Sequence, residues 1–331
     1  MTYNDVISVS HQEFLPKIQD LLAVRNGLWY KLAQQKFKKG QGGNNIIQWA
    51  LNVNENPAQG FIDGTTDVLD TNLSTNLTYA QLNYKFFYSN SNYSFFDQIL
   101  TDNSPNAIIS MVQEKTAAAY NTMIRTLSAA LFTSGTTANR SINGMADVFA
   151  ASGTAYAGVN NSTYANWYPV VDTTTNLINF NNIQKMLGTL SERTGQSPYN
   201  NAFDGNYSTN LMISRSAVQT AYISQMQIQQ RFMDSDVLKS GMKGIEVDGI
   251  PWVIDFNSPG TDGTPDNYLY LLCTDGFEFR TLAGFGSDIK SPFDGVRDLP
   301  NQPIKVHTSM HAGNLICKDR RVQGVFKALQ V

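Results

Sequence analysis

One long amphipathic segment, from Pro105 to Phe132, constrains the fold of this chain more than any other feature. Ser104 suits the N-cap, Pro105 suits the first helical position, and Gly135 follows the end. The spacing of apolar residues predicts a helix of about 28 residues, or roughly 42 Å at 1.5 Å per residue. The apolar positions are Ile108, Val112, Ala119, Tyr120, Met123, Leu127, Ala130 and Leu131. A helix more than twice the average length, in a chain without heptad repeats, indicates a structural spine.

Two β-prone runs predict an extended hairpin before this helix. The first run is Ile46 to Val53 and the second is Leu77 to Tyr88. Residues 54–74 between them are rich in Asx, Thr, Gly and Pro, and loops of this length are usually functional or ordered by a partner. We therefore predict that the hairpin is functional or ordered by a partner. The candidate contact residues are Trp49, Pro57, Phe61, Asp63, Asp67 and Leu69.

The N-terminal region predicts an arm. Apolar residues from Phe14 to Leu32 have roughly helical spacing, which Gly27 interrupts. Lys36, Lys38 and Lys39 are followed by glycines, a composition that predicts a flexible joint.

The second half of the chain begins as an α/β section. Apolar residues from Phe180 to Leu190 predict a helix, and Leu211–Ile213 predict a short strand. Asp248-Gly249 between two apolar runs predicts a two-residue hairpin turn. From Ile304 to Phe326 the pattern is that of strands, and we expect these strands to pack back on an earlier element.

Composition adds a constraint on the surface. Only 15% of the residues are charged and the net charge is −3, whereas soluble proteins carry roughly 25% charged residues. With 42% hydrophobic residues the chain is not intrinsically disordered. Its near-neutral balance also excludes a strong general attraction to nucleic acid. A surface this poor in charge suits a protein that is largely covered by partners, because interface cores are depleted in charge.

The sequence does not point to an exported or membrane protein. Two cysteines are too few for a disulfide framework. The N-terminus lacks the basic and apolar regions of a signal peptide, and no run approaches the ~18 apolar residues of a membrane span. We expect a cytoplasmic product with no membrane contact.

A search for catalytic or metal-binding patterns gives negative results. His307 and His311 are four residues apart, but they lie in a predicted strand, where that spacing separates them by about 13 Å. Ser287 lacks the Gly-x-Ser-x-Gly context of a hydrolase nucleophile, and Asp234 and Asp236 are better explained as loop residues than as a catalytic pair. Cys273 and Cys317 fall in apolar strands, as inert buried thiols do. We therefore predict no enzyme activity, no cofactor and no metal. Weak, sequence-independent contact of basic residues with nucleic acid stays open.

The order of these elements resembles that of the major capsid proteins of tailed bacteriophages, which have the HK97-type fold. Four stretches contribute to the resemblance, which covers essentially the whole chain. They are Thr126–Phe132 with Ile142-Asn143-Gly144-Met145-Ala146-Asp147, Gly158–Trp167, Val247–Pro251, and Gly313–Cys317 with Arg320–Gly324.

The resemblance implies an α+β fold with five segments. These are an N-terminal arm (1–44), an extended hairpin loop (45–96), a peripheral domain with the spine helix at about 105–132 (97–172), an α/β axial domain (173–295), and strands that return to the peripheral domain (296–331).

The resemblance also implies a function. Copies would form hexamers and pentamers of an icosahedral virion shell around packaged double-stranded DNA, which they would contact weakly and without sequence preference. A portal and a separate scaffolding protein would be further partners. Some members cross-link through a lysine on the extended loop, but no lysine occurs between Lys39 and Lys85, so a non-covalent shell is expected. The alternatives are an encapsulin-type compartment, a tail component or other viral structural protein, and an α/β enzyme built on residues 177–272.

Overall fold

The long helix predicted from the sequence is present in the structure, which is a computed structural model. It begins at Pro105, as predicted, and ends at Ala130. The helices are α1 (Gly27–Gln35), α2 (Pro105–Ala130), α3 (Met145–Val148), α4 (Phe180–Thr194) and α5 (Ser216–Gln225). The structure describes residues 27–35, 37–39, 45–52, 60–61, 64, 77–94, 105–135, 140–160, 162–164, 167–194, 208–225, 244–261, 264–282, 297–298 and 302–331.

The strands form three sheets. In chain order they are β1 (Phe37–Lys39), β2 (Ile46–Asn52), β3 (Leu77–Asn83), β4 (Lys85–Ser94), β5 (Val170–Asp172), β6 (Asn176–Leu177), β7 (Leu211–Ser214), β8 (Gly244–Val247), β9 (Ile250–Ile254), β10 (Asn267–Leu272), β11 (Phe277–Thr281), β12 (Arg297–Asp298), β13 (Ile304–Cys317) and β14 (Gly324–Gln330). A five-stranded sheet is built around β13, which pairs with β4 on one side and with β11 and β12 on the other, while β1 extends β11. A seven-stranded sheet has the order β5-β14-β10-β7-β9-β8, with β6 also on β14, and β2 and β3 form the predicted hairpin.

The middle of α2, around Ala119 and Tyr120, packs on one face of the β4–β13 pair. The Ser89 hydroxyl donates to the Ala119 carbonyl at 3.2 Å, and the Ser309 hydroxyl donates to the Tyr120 hydroxyl at 3.3 Å. Opposite residues of an antiparallel pair share a face, so His307 and His311 lie on this same buried face. At these positions the helix therefore rests on polar side chains of β4 and β13.

The seven-stranded sheet is covered on both faces, which explains its nearly continuous apolar strands. On one face α4 and α5 pack through Leu187, Tyr222 and Trp252. On the other face α1 and the end of α2 pack around Tyr270.

Two neighbouring chain segments connect the two large sheets. Residues 273–276 lead from β10 to β11, and residues 318–323 lead from β13 to β14. The Lys318 amide donates to the Gly276 carbonyl at 2.7 Å. The two segments therefore form one junction between the sheets.

One expectation from the sequence needs correction, and another is only partly covered by the described residues. Gly27 lies in α1, where a Cβ would be 2.5 Å from Cγ1 of Val253; the rest of the predicted helix, residues 14–26, is outside the described residues. Lys38 and Lys39 belong to β1 and pair in parallel with β11, so they are not in a flexible joint. The C-terminal strands pack back on earlier elements, as expected: β13 pairs with β4, and β14 lies between β5 and β10.

Candidate assembly surface

The hairpin of β2 and β3 has two different faces. Residues pair from Ile46–Asn83 to Asn52–Leu77 without a shift. The inner face, with Ile47, Leu51 and Ala80, is buried against the chain's own core. The outer face is exposed and contains no charged residue; it consists of Ile46, Gln48, Ala50, Asn52, Leu77, Tyr79, Gln81 and Asn83. We call this set the hairpin outer face.

A tight turn supports the base of the hairpin. The Gln81 amide donates to the Ala157 carbonyl at 2.8 Å, and Tyr156 and Val159 exchange two backbone hydrogen bonds of 3.0 Å. Ala157 has φ 54° and Gly158 has φ 80°, so both central residues are left-handed, as a type I′ turn requires. A buried alanine keeps this strained conformation because the surrounding contacts hold the turn in place.

A buried amide pair connects the hairpin base to β13 and to the loop after α2. Asn314 accepts the Asn143 backbone amide at 2.9 Å and donates to the Asn143 side-chain oxygen at 2.8 Å. The same Asn314 nitrogen donates to the Asn83 carbonyl at 2.8 Å. Asn143 in turn donates to Asp147 at 2.8 Å, and Asp147 also accepts the Gly135 amide at 2.8 Å. These contacts fix the direction in which the hairpin leaves the body.

Two of the six predicted contact residues are described. Trp49 lies on the inner face, is partly buried against the core, and its Nε1 has no hydrogen-bond partner among the described residues. Phe61 is fully exposed. Pro57, Asp63, Asp67 and Leu69 lie outside the described residues, and the role of all six in contact between copies stays a prediction.

A second uncharged face was not anticipated from the sequence. One face of the β4–β13 pair is covered by α2; on the other face the side chains of β4 are exposed and those of β13 are half-buried. This sheet outer face contains Phe86, Tyr88, Asn90, Asn92, Val306, Thr308 and Met310. Phe86 and Tyr88 are 51% and 63% exposed. The sequence Phe86-Phe87-Tyr88-Ser89-Asn90 indicates a strand. It does not show which aromatic side chains face solvent, because that depends on the face of the sheet that α2 covers.

Charge is concentrated away from these two faces. Glu278 is 2% exposed and accepts a hydrogen bond from Arg280 at 3.0 Å, while Lys318 contacts its other oxygen. Burial acts to raise the pKa of Glu278, but the hydrogen bonds from Lys318 and Arg280 outweigh burial and lower it. Arg320 is fully buried and donates to the Val148 carbonyl at 2.8 Å.

The described residues do not form a reactive centre. No group of three or more His, Cys, Asp or Glu that could hold a metal occurs in this part of the chain. Burial raises the pKa of Cys273 to about 11 and that of Cys317 well above its usual range, so both thiols are protonated at neutral pH. Within the same residues, no helix is both long enough and apolar enough to cross a membrane.

The fold matches solved capsid structures over most of the chain. The "Cyanophage A-1(L) capsid asymmetric unit" has a TM-score of 0.65 at 17% identity, covering 91% of this chain and 92% of that one. The holo-SrpI encapsulin complex from Synechococcus elongatus PCC 7942 has a TM-score of 0.56 at 9% identity, covering 91% and 87%. The capsid of an empty GTA particle has a TM-score of 0.54 at 12% identity, covering 90% and 89%.

These similarities establish the fold. The chain has the α+β, HK97-type capsid fold that the resemblance predicted. No protein-family model matches the sequence, and no curated protein matches it.

Proposed function

We propose that this protein is the major capsid protein of a tailed bacteriophage and has a structural rather than a catalytic role. One observation carries the proposal: the hairpin is fixed to the body by its inner face, yet presents an uncharged face with an exposed Leu77 and Tyr79 to solvent. Exposed apolar side chains grouped on an uncharged face are typical of protein interaction sites. The capsid fold supplies the class of partner, a second copy of the chain.

The arrangement favours rings. The hairpin outer face and the sheet outer face are different surfaces. A contact between the hairpin of one copy and the body of the next is therefore heterologous. Heterologous contacts form a closed ring when the rotation between copies allows it. Hexamers and pentamers of an icosahedral shell would be such rings. The shell would enclose double-stranded DNA, with a portal and a separate scaffolding protein as partners, and the virion would assemble in the host cytoplasm.

Deletion of residues 56–74 tests the role of the hairpin. We expect the wild-type chain to form megadalton particles by gel filtration and closed shells by electron microscopy, and the deletion variant to stay soluble without forming shells. Normal shells from the deletion variant would refute the role of the hairpin. A wild-type monomer with a substrate-binding cleft would favour an enzyme instead.

The absence of lysine between Lys39 and Lys85 supports a non-covalent shell. Boiled particles should therefore run as single chains in denaturing gels. Ladders of higher mass would contradict this part of the proposal.

An encapsulin-type shell is the second candidate, because the SrpI encapsulin shares the fold over 91% of this chain. The contents of purified particles separate the two functions. Genomic DNA of uniform length supports the phage capsid, whereas a copurifying enzyme supports the encapsulin.

A further inference from the structure

The outer edge of β4 is an open strand edge. β4 pairs with β13 along ten positions, from Ser94–Ile304 to Lys85–Gly313. Among the described residues, no strand pairs with the opposite side of β4. We call residues 86–92 on this side the β4 edge. An open edge presents backbone N–H and C=O groups that can pair with another strand.

The β4 edge lacks four of the features by which proteins protect strand edges. Those features are short length, charged residues, proline and β-bulges. Residues 86–92 read Phe-Phe-Tyr-Ser-Asn-Ser-Asn, with no charge and no proline, and their pairing with β13 has no shift in register. A regular, uncharged and partly aromatic edge is suited to pairing with a further strand.

The other edges of the two large sheets provide a comparison within the chain. β1 has three residues, two of them lysines, and β12 has two residues, Arg297 and Asp298. β5 has three residues, one of them Asp172, β6 has two, and β8 has four, one of them Glu246. These edges are short, and four of the five carry charge. Among the described edge strands of the two large sheets, only β4, with ten residues, is both long and uncharged along its middle.

We propose that the β4 edge pairs, antiparallel and about a twofold axis, with the β4 edge of a second copy. A twofold axis at Ser89, the centre of the segment, places Phe86 opposite Asn92 and Tyr88 opposite Asn90. The aromatic half of each strand then meets the amide half of the other, and no like charges face each other, which would be destabilising. The two five-stranded sheets become one continuous sheet.

This contact has a different role from that of the hairpin, and it rests on the proposed shell function. A ring-forming contact is heterologous, whereas a β4–β4 contact is isologous because the same surface is used on both copies. The β4–β4 contact therefore joins one ring to the next, with one twofold contact per pair of copies.

Cross-linking of two matched cysteine variants tests the inference in assembled particles. About the proposed axis, the Cβ atoms of the two copies of residue 90 are diagonal neighbours, about 7–8 Å apart. The two copies of residue 92 are six positions apart along the strands, or about 20 Å at 3.3 Å per residue. Both asparagines are exposed, and the native Cys273 and Cys317 are buried, so background reaction is low.

A short bis-maleimide with a reach of about 8 Å, matched to this diagonal distance, should convert most Asn90→Cys subunits to dimers and leave Asn92→Cys subunits as single chains. Equal cross-linking of the two variants, or particles of Asn90→Cys without dimers, would overturn the inference. Failure of the wild-type chain to form any particle would instead refute the proposed function.

A charge placed at the axis gives an independent readout. In Asn90→Lys, two ammonium groups would lie close together, so assembly should stop at separate rings in gel filtration. In Asn92→Lys they are far apart, and particles should form as in wild type. Complete particles of Asn90→Lys would contradict the twofold contact. The β4 edge would then pair with a different segment, such as the hairpin of a neighbouring copy.

Discussion

The side chain of Gln323 forms two hydrogen bonds with the backbone of Cys273. It accepts the Cys273 amide at 3.0 Å and donates to the Cys273 carbonyl at 3.1 Å. The two residues are fully buried and lie in the two segments that connect the large sheets. Gln323 therefore forms the two hydrogen bonds that a neighbouring strand would otherwise form with Cys273.

Removal of this side chain should destabilise the subunit. In Gln323→Ala, the buried N–H of Cys273 loses its hydrogen bond to Gln323, while the Cys273 carbonyl keeps its hydrogen bond from the Gly276 amide at 3.1 Å. We expect the free energy of unfolding of the unassembled subunit to fall by about 1–3 kcal/mol in urea titrations. Gln225→Ala, at an exposed position of α5, is the control and should change stability by less than about 0.5 kcal/mol. Equal stabilities of the two variants would contradict the role of Gln323.

The amide pair at the hairpin base predicts a local effect. Asn314→Ala removes the contacts with Asn143 and with the Asn83 carbonyl, so the base of the hairpin should open more often. Amide hydrogen exchange in β2 and β3 should increase more than exchange in β10, which lies in the other sheet. A uniform increase across the chain would show that Asn314 stabilises the whole subunit and does not control the hairpin.

The turn at Ala157 predicts a stabilising substitution. A left-handed alanine costs roughly 1–2 kcal/mol, and glycine avoids this cost while losing more entropy on folding. Ala157→Gly should therefore raise the free energy of unfolding by about 0.5–1 kcal/mol. Ala146→Gly, at an exposed position in helix α3, should lower it instead, by up to about 1 kcal/mol. A loss of stability in Ala157→Gly would mean that packing of the Ala157 methyl group stabilises the fold by more than its backbone strain destabilises it.

Local patterns predicted much of this fold. Pro105 marks the start of α2 correctly, and Asp248-Gly249 forms the expected turn with φ 52° and φ 76°, because both depend on a few neighbouring residues. The first predicted run of the hairpin, Ile46–Val53, matches β2, whereas the second, Leu77–Tyr88, is divided between β3 in the hairpin and β4, which pairs with β13. The capsid fold was predicted from the order of such elements.

Pairing over long distances could not be predicted in this way. The apolar pattern of Val322–Phe326 shows that a strand is present, but not that it joins β10 rather than β13. The Gln323–Cys273 contact spans 50 residues, and no local pattern marks a glutamine as buried. For the candidate surface, the sequence located the hairpin, whereas the sheet outer face became visible only when α2 was seen to cover the opposite side.

Glu278 predicts a loss of stability in acid. Its pKa is lowered on folding from an ordinary value of 4.5, mainly by hydrogen bonds from Lys318 and Arg280 that outweigh burial. A carboxyl with a lowered pKa in the folded state contributes stability above its unfolded pKa, and this contribution is lost as pH falls through the folded pKa. Glu278→Gln should therefore be less stable than wild type at pH 7, by about 1–3 kcal/mol. The difference should shrink below about pH 4; a difference that is constant with pH would contradict the ion-pair assignment.

Asp255 predicts a pH dependence of the opposite sign. It is buried, caps α1 by accepting the Leu28 amide at 3.3 Å, and also accepts the Asn257 amide at 2.9 Å. Burial raises the pKa of Asp255 in spite of these hydrogen bonds.

A carboxyl with a raised pKa contributes stability that is fully present below its unfolded pKa, which is about 3.9, and that is lost as pH rises through the folded pKa. The stability of wild type relative to Asp255→Asn should therefore increase as pH is lowered from 7 towards 4, opposite to the trend for Glu278→Gln. Urea titrations of both variants at several pH values measure the two trends in one experiment. Parallel trends would contradict the opposite pKa shifts assigned to the two carboxyls. Amide exchange provides a second measurement. Faster exchange in α1 at pH 7 than at pH 5, after correction for intrinsic rates, would identify Asp255 as the group that makes this helix sensitive to pH.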